Sequence, residues 1–256
     1  MKVVILAGGL GTRLREVTEV KPKPMVEIGG RPILWHIMKS YAAYGFNEFV
    51  IALGYKGEVI KNYFLNYHYH NHDLVISLKN GQVSVENGDC EDWTIHLLDT
   101  GIESQTGGRI KQASDYIGDE AFMLTYGDGV ATIDISQLLE FHKKQGTLAT
   151  VSAVRPPARF GGIVFDGDLV ANFVEKPQIG AGWVNGGFFV IEPGAIEYIQ
   201  DLNTVWEWEP MEQLAADKQL AAFRHEGFWQ CMDTLRDVNL LEKMWNEGTA
   251  PWKVWQ

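Results

Sequence analysis

The apolar run Val3-Val4-Ile5-Leu6 passes through Ala7 straight into Gly8-Gly9-Leu10-Gly11-Thr12-Arg13. That transition constrains the chain more than any other segment. The run reads as a buried first strand. Glycines at its carboxyl end let the backbone come close to a ligand and turn several N–H groups the same way. Arg13 adds positive charge. Lys23 adds more, from a backbone stiffened by Pro22 and Pro24. Such a loop suits a polyphosphate. Two look-alikes are disfavoured. A dinucleotide fingerprint needs a further small residue after the glycines, and Leu14 stands there instead. A Walker loop needs Gly-Lys followed by Ser or Thr, and that tripeptide does not occur.

Downstream, short apolar runs alternate with helical patterns. Strands are expected at 49–53, 94–98, 121–126 and 148–154, and helices at 32–44, 57–67, 107–117 and 135–145. This alternation predicts an α/β fold with a mostly parallel sheet flanked by helices. Ligands of such sheets bind beyond the carboxyl ends of the strands. Both the glycine loop and Gly127-Asp128-Gly129 fall at such ends. The second half has shorter strands, at 163–165, 169–174 and 188–191, then helical patterns near 210–218 and 234–246. Nothing linker-like separates the halves, so they read as two lobes of one domain, about 1–150 and 151–256. Residues 68–92 carry little pattern and read as an excursion from the core.

Residues 1–39 hold seven basic and three acidic side chains, whereas the whole chain has a net charge of −11. A positive segment in an acidic protein suits a small anion and argues against nucleic acid or an anionic membrane as partner. No apolar run reaches the length of a membrane span, and the start lacks a signal-peptide pattern. The two cysteines, Cys90 and Cys231, show no metal or redox spacing. Reduced thiols in a cytoplasm are expected. His68, His70 and His72 alternate, but no further zinc ligand stands at an evident spacing. Trp252 and Trp255 suggest that the tail docks on its own body or on a neighbouring subunit. Asp233, before a helix starting near Thr234, suits an N-cap as well as a metal ligand.

These segments together resemble the sugar-1-phosphate nucleotidyltransferases. The resemblance rests on Leu6–Leu14, Lys21–Val26, Gly29–Leu34, Thr106–Arg109, Tyr126–Val130, Phe173–Pro177, Asn185–Phe189, Trp206–Pro210 and Phe228–Thr234. More narrowly, it is to the branch using CTP and α-D-glucose 1-phosphate. It implies a fold of the nucleotide-diphospho-sugar transferase type, with a smaller sugar-binding lobe. It implies nucleotide contacts from Leu6, Ala7, Gly8, Gly9, Leu10, Gly11, Thr12, Arg13, Lys23, Ser104, Thr106, Gly107, Arg109 and Asp128. Sugar-phosphate contacts fall to Gly127, Glu175, Lys176, Asn185 and Gly186. Mg²⁺ would lie on Asp128 and Asp233, and Arg13, Lys23, Asp128 and Asp233 would carry catalysis. The implied reaction gives CDP-glucose and pyrophosphate by direct in-line displacement, in a homo-oligomer. The rival readings are the same chemistry with UTP or dTTP, and a non-catalytic nucleotide-sensing subunit on the same fold.

Overall fold

Strand β1 spans Val3–Ala7, and all five residues are buried. The structure is a computed structural model that describes residues 1–14, 18–156, 162–166, 169–174 and 182–255, with backbone alone at Arg13, 162–166 and 170–174. Val3, Ile5 and Ala7 join one core cluster with Ile33, Leu34, Ile37 and Met38 of helix α1, Ile33–Ala42, and with Ile60 of α2, Gly57–Leu65. Val4 and Leu6 join a second cluster with Ile110, Ala113 and Ile117 of helix α3, Thr106–Ile117. A strand covered on both faces must be apolar at every position, which explains its unbroken run.

Six more strands complete the central sheet: β2 Glu48–Leu53, β3 Thr94–Asp99, β4 Phe122–Tyr126, β5 Ala149–Val154, β6 Val184–Ile191 and β7 Leu220–His225. Their order is β7-β5-β6-β4-β1-β2-β3. All pairs are parallel except those made by β6. The expected mostly parallel α/β sheet is therefore present. It runs through both halves of the sequence, since β5, β6 and β7 extend it. Strand β7 was not anticipated. Among the described residues, three further α-helices follow α3: α4 Ile135–Gln145, α5 Glu209–Ala216 and α6 Leu235–Asn246. Among the described residues, no helix is long and apolar enough to cross a membrane.

Register places the site. Ala7 of β1 pairs with Leu53 of β2, and Leu6 pairs with Tyr126 of β4. Gly8, Gly54 and Gly127-Asp128 thus leave the sheet along one edge. Residues 68–92, expected as an unpatterned excursion, contain an antiparallel hairpin, His72–Ser77 with Gln82–Gly88. Most of its side chains are exposed, which explains the missing periodicity.

The tail docks on its own body. Trp252 is buried, with its ring 5.7 Å from Phe228 and 6.5 Å from Trp245. Its indole N–H lies 3.4 Å from Nδ1 of the buried His36, whose Nε2 lies 2.8 Å from the Ile28 carbonyl. In the neutral ring Nε2 donates to that carbonyl and Nδ1 accepts from the indole. A proton on Nδ1 would break the second bond. Burial pulls the His36 pKa down from 6.5 to about 4. A depressed pKa means that the unfolded chain takes up the proton first as pH falls. Stability should therefore decline between pH 6.5 and 4, by about 3 kcal/mol from this group. His36→Gln, whose amide can also donate and accept, should flatten that part of the curve. Urea unfolding of both proteins across this range tests the difference, and parallel curves would refute it.

Candidate active site

Two antiparallel segments, Gly129–Ala131 and Trp229–Cys231, bring together aspartates that lie far apart in sequence. Cys231 pairs with Gly129, and the Met232 N–H donates to the Asp128 carbonyl at 2.8 Å. Asp128 and Asp233 therefore leave the ribbon side by side. Capping does not consume Asp233. Thr234 is the N-cap of α6 and closes a capping box with Asp237. Asp237 also accepts from the Asp233 backbone N–H at 3.1 Å. Of the two roles open to Asp233, the cap thus belongs to its neighbour.

The ammonium of Lys23 sits between the two carboxylates, 2.6 Å from Asp128 and 2.6 Å from Asp233. Burial alone would lower its pKa, but the attraction of Asp128, with hydrogen bonds to Asp128 and Asp233, holds it above the ordinary lysine value. Lys23 stays charged. The Cys231 thiol lies in the same group, with one donor atom from each of Asp128, Cys231 and Asp233 within 4.8 Å of one another. Burial, then the charge of Asp128, pushes that thiol's pKa up, so it stays protonated. The ribbon thus sets Cys231 beside the two aspartates, a proximity that its place in the sequence does not show.

A cavity of about 430 Å³ opens over this group. Its lining includes Leu6, Ala7, Gly8, Gly9, Leu10, Gly11 and Thr12, together with Lys23, Ser104, Thr106, Arg109, Gly127, Asp128 and Asp233. A second cavity of about 390 Å³ is lined by Asn185 and Gly186, with Tyr126, Glu207 and Trp229. The two cavities share Tyr126, Asp128 and Asp233. The acid pair thus stands where they meet. The side chain of Arg13, and all of Glu175 and Lys176, lie outside the described residues.

Arg109, expected to contact the nucleotide, lines this cavity and also supports the glycine loop. The side chain is buried. Nη1 donates to the carbonyls of Leu53 at 2.9 Å and Gly101 at 2.8 Å, and to the Thr100 hydroxyl at 2.6 Å. Nη2 donates to the carbonyls of Gly8 at 3.1 Å and Ile102 at 3.3 Å. The guanidinium ties the glycine loop to the ends of β2 and β3. A Cβ at Gly8 would lie 2.2 Å from Nη1, so any side chain there must displace the guanidinium. Gly11, at φ +62°, is the second position where the loop requires glycine. Gly8→Ala should displace the guanidinium, lower stability by about 1–3 kcal/mol and raise the KM for nucleotide at least tenfold. Thermal melts and nucleotide saturation curves check both effects, and an unchanged KM would refute the positioning role.

Gly107 does not line either cavity. A Cβ there would lie 2.7 Å from the Thr204 carbonyl, so this glycine lets α3 pack under residues 202–204. Thr106 donates to Glu207 at 2.6 Å, and its oxygen accepts from the Trp206 N–H at 2.9 Å. Ser104 is held by Gln112, which donates to its hydroxyl at 3.1 Å. Glu207 also accepts from the Tyr126 hydroxyl, which accepts from Asn185 at 3.1 Å. Burial, then the charge of Glu207, raises the Tyr126 pKa and keeps that proton in place. Sequence reasoning assigned no role to Glu207 or Tyr126. The signal available was one acid enclosed by Trp206 and Trp208.

Comparison with known proteins agrees with this architecture. The family model described as nucleotidyl transferase matches residues 2–238. Glucose-1-phosphate cytidylyltransferase of Salmonella typhi is 52% identical over the full length of both chains. A probable glucose-1-phosphate cytidylyltransferase of Bacillus subtilis (strain 168) is 48% identical, again over the full length of both. Among solved structures, HddC from Yersinia pseudotuberculosis superposes with a TM-score of 0.69 at 25% identity, covering 95% of this chain and 99% of that one. The match over nearly the whole sheet, and the full-length identity to these relatives, place this chain in the nucleotidyl transferase family.

Proposed function

We propose that this chain transfers a cytidylyl group from CTP to α-D-glucose 1-phosphate, giving CDP-glucose and pyrophosphate. One observation carries the reading: two cavities meet at Asp128 and Asp233, with a charged lysine between the carboxylates. The cavity beside the glycine loop takes the triphosphate, and the cavity beside Asn185 takes the sugar phosphate. A phosphate oxygen of the sugar phosphate attacks the α-phosphorus of CTP. The bond from that phosphorus to the β-phosphate bridging oxygen breaks, and pyrophosphate leaves with the electron pair. Catalysis of this kind rests on positioning and charge neutralisation.

Backbone N–H groups of Gly8–Gly11 and the side chains of Arg13 and Lys23 hold the triphosphate. Asn185, with Glu175 and Lys176, holds the glucose phosphate, and the Glu207–Tyr126–Asn185 chain fixes the Asn185 amide. The donor set fits a divalent cation. Two carboxylates converge on a point already held by a positive group, the Lys23 ammonium. Oxygen donors of this kind favour Mg²⁺, which readily shares phosphate oxygens and water. Asp128 and Asp233 would hold Mg²⁺, which neutralises phosphate charge when bound. Lys23 then turns from the carboxylates to the phosphates, keeping its charge.

The test is pyrophosphate release with glucose 1-phosphate and CTP, UTP, dTTP, GTP or ATP, each with Mg²⁺ and with chelator. Metal-dependent release well above the others with CTP is expected. Preference for another nucleotide would overturn the cytidine assignment. Absence of release with all five would overturn the transfer itself.

A further inference from the structure

The exposed hairpin has a second cluster of metal-ligating side chains at its base. His68 lies in a single helical turn, Tyr67–His70, and His72 begins the first hairpin strand. Cys90 follows the second strand, which ends at Gly88. One donor atom from each of His68, His72 and Cys90 lies within 4.8 Å of the others. The Cys90 sulfur is 3.9 Å from His68 Nδ1 and 3.8 Å from His72 Nδ1. Zinc bonds of about 2.3 Å to sulfur and about 2.0–2.1 Å to nitrogen imply a tetrahedral S···N edge of about 3.5 Å. The observed separations exceed that edge by only a few tenths of an ångström.

We propose that His68, His72 and Cys90 form a binding site for a borderline-soft divalent cation, Zn²⁺, separate from the acid pair. Two imidazoles and a thiolate select zinc over Mg²⁺ or Ca²⁺, which prefer oxygen donors. The earlier objection to zinc, that the alternating histidines lack another ligand, fails because the hairpin folds Cys90 back onto them. His68 and His72 are four residues apart, and the step from the helical turn into the strand brings their rings to 4.1 Å between centroids, tilted at 41°. His72 Nδ1 lies 2.6 Å from the His68 carbonyl. If it donates there it has no lone pair for a metal, so binding requires that ring to turn. A solvent molecule completes four-coordination, as in zinc sites with three protein ligands.

The consequence is mechanical. One ligand precedes the hairpin, one begins it and one follows it, so the cation closes its base. The contacts already there are polar: Asn71 accepts from Arg31 at 2.5 Å, and Glu91 accepts from Trp35 at 3.1 Å and from the Tyr67 hydroxyl. Zinc bound at this point would staple an arm whose own strands bury little apolar surface.

The test uses the full chain stripped with chelator and titrated with Zn²⁺ against a chromophoric competitor, with Co²⁺ absorption as a second readout. One site per chain is expected. Its affinity should fall at least tenfold in Cys90→Ser and in His68→Gln, and stay unchanged in His70→Gln and Cys231→Ser. The thiolate-to-cobalt charge-transfer band should vanish in Cys90→Ser and persist in Cys231→Ser. Circular dichroism checks that each variant is folded, and either ligand variant alone suffices. Wild-type affinity in both ligand variants, or loss of zinc in Cys231→Ser, would overturn the proposal. Zn²⁺ should also slow amide exchange across 72–88, and unchanged exchange at saturation would overturn the stapling role.

Discussion

Asp128→Asn and Asp233→Asn each leave a folded chain whose turnover falls by about 10³-fold or more. Asparagine keeps the shape of the side chain and removes its charge. In the folded chain each carboxylate lies 2.6 Å from the Lys23 ammonium, so the remaining carboxylate still pairs that cation after either change. Folding therefore loses little. Catalysis loses far more if, as proposed, neutralising the phosphates depends on both carboxylates acting as one cation seat. Groups that act as a unit are not additive, so the double variant should be barely slower than either single one. Rates at saturating Mg²⁺, with circular dichroism as the folding control, test this. Near-normal turnover in either single variant would exclude its carboxylate from the seat.

Arg109→Met should cost about 1–3 kcal/mol of stability and raise the KM for CTP more than that for glucose 1-phosphate. Methionine fills similar volume but takes the guanidinium from the carbonyls of Gly101 and Ile102, and one of several donors from those of Gly8 and Leu53, which keep the N–H groups of Tyr55 and Thr100. The larger loss is the tie between the glycine loop and the ends of β2 and β3, since each hydrogen bond alone contributes only about 1 kcal/mol. Arg109→Lys should recover only part of the loss, since one ammonium cannot span acceptors arranged for a planar fork. In the proposed function the loop carrying Gly8 faces the triphosphate, which is why the nucleotide KM should move first. Equal stability of Arg109→Met and the parent chain would contradict this account.

The first-half elements were legible because their physics is local. Buried parallel strands are continuous apolar runs, and α1, α3 and α4 end near Gly45, at Gly118 and at Gly146. The edge strand β7 was not legible. Its residues, Leu220–His225, are only partly buried and show no firm alternation, so its identity comes from pairing with β5. The site divides in the same way. The glycine loop declared itself by composition. The meeting of Asp128 with Asp233 did not, because a ribbon between distant segments creates it; only the family resemblance pointed there. The hold of Arg109 on the loop was not legible either, because sequence does not say which way its fork turns. Cys90 and Cys231 looked isolated for the same reason. Each gains its neighbours through pairing between segments remote in the chain.

The most direct measurement is ³¹P NMR of the chain incubated with CTP, α-D-glucose 1-phosphate and Mg²⁺. In-line transfer at the α-phosphorus predicts that CTP and sugar phosphate disappear together. CDP-glucose and pyrophosphate should appear in equal amounts, and none should form when either substrate is withheld. Release of CMP or CDP with glucose 1-phosphate left intact would contradict the account, because it would place the attack on water or at another phosphorus.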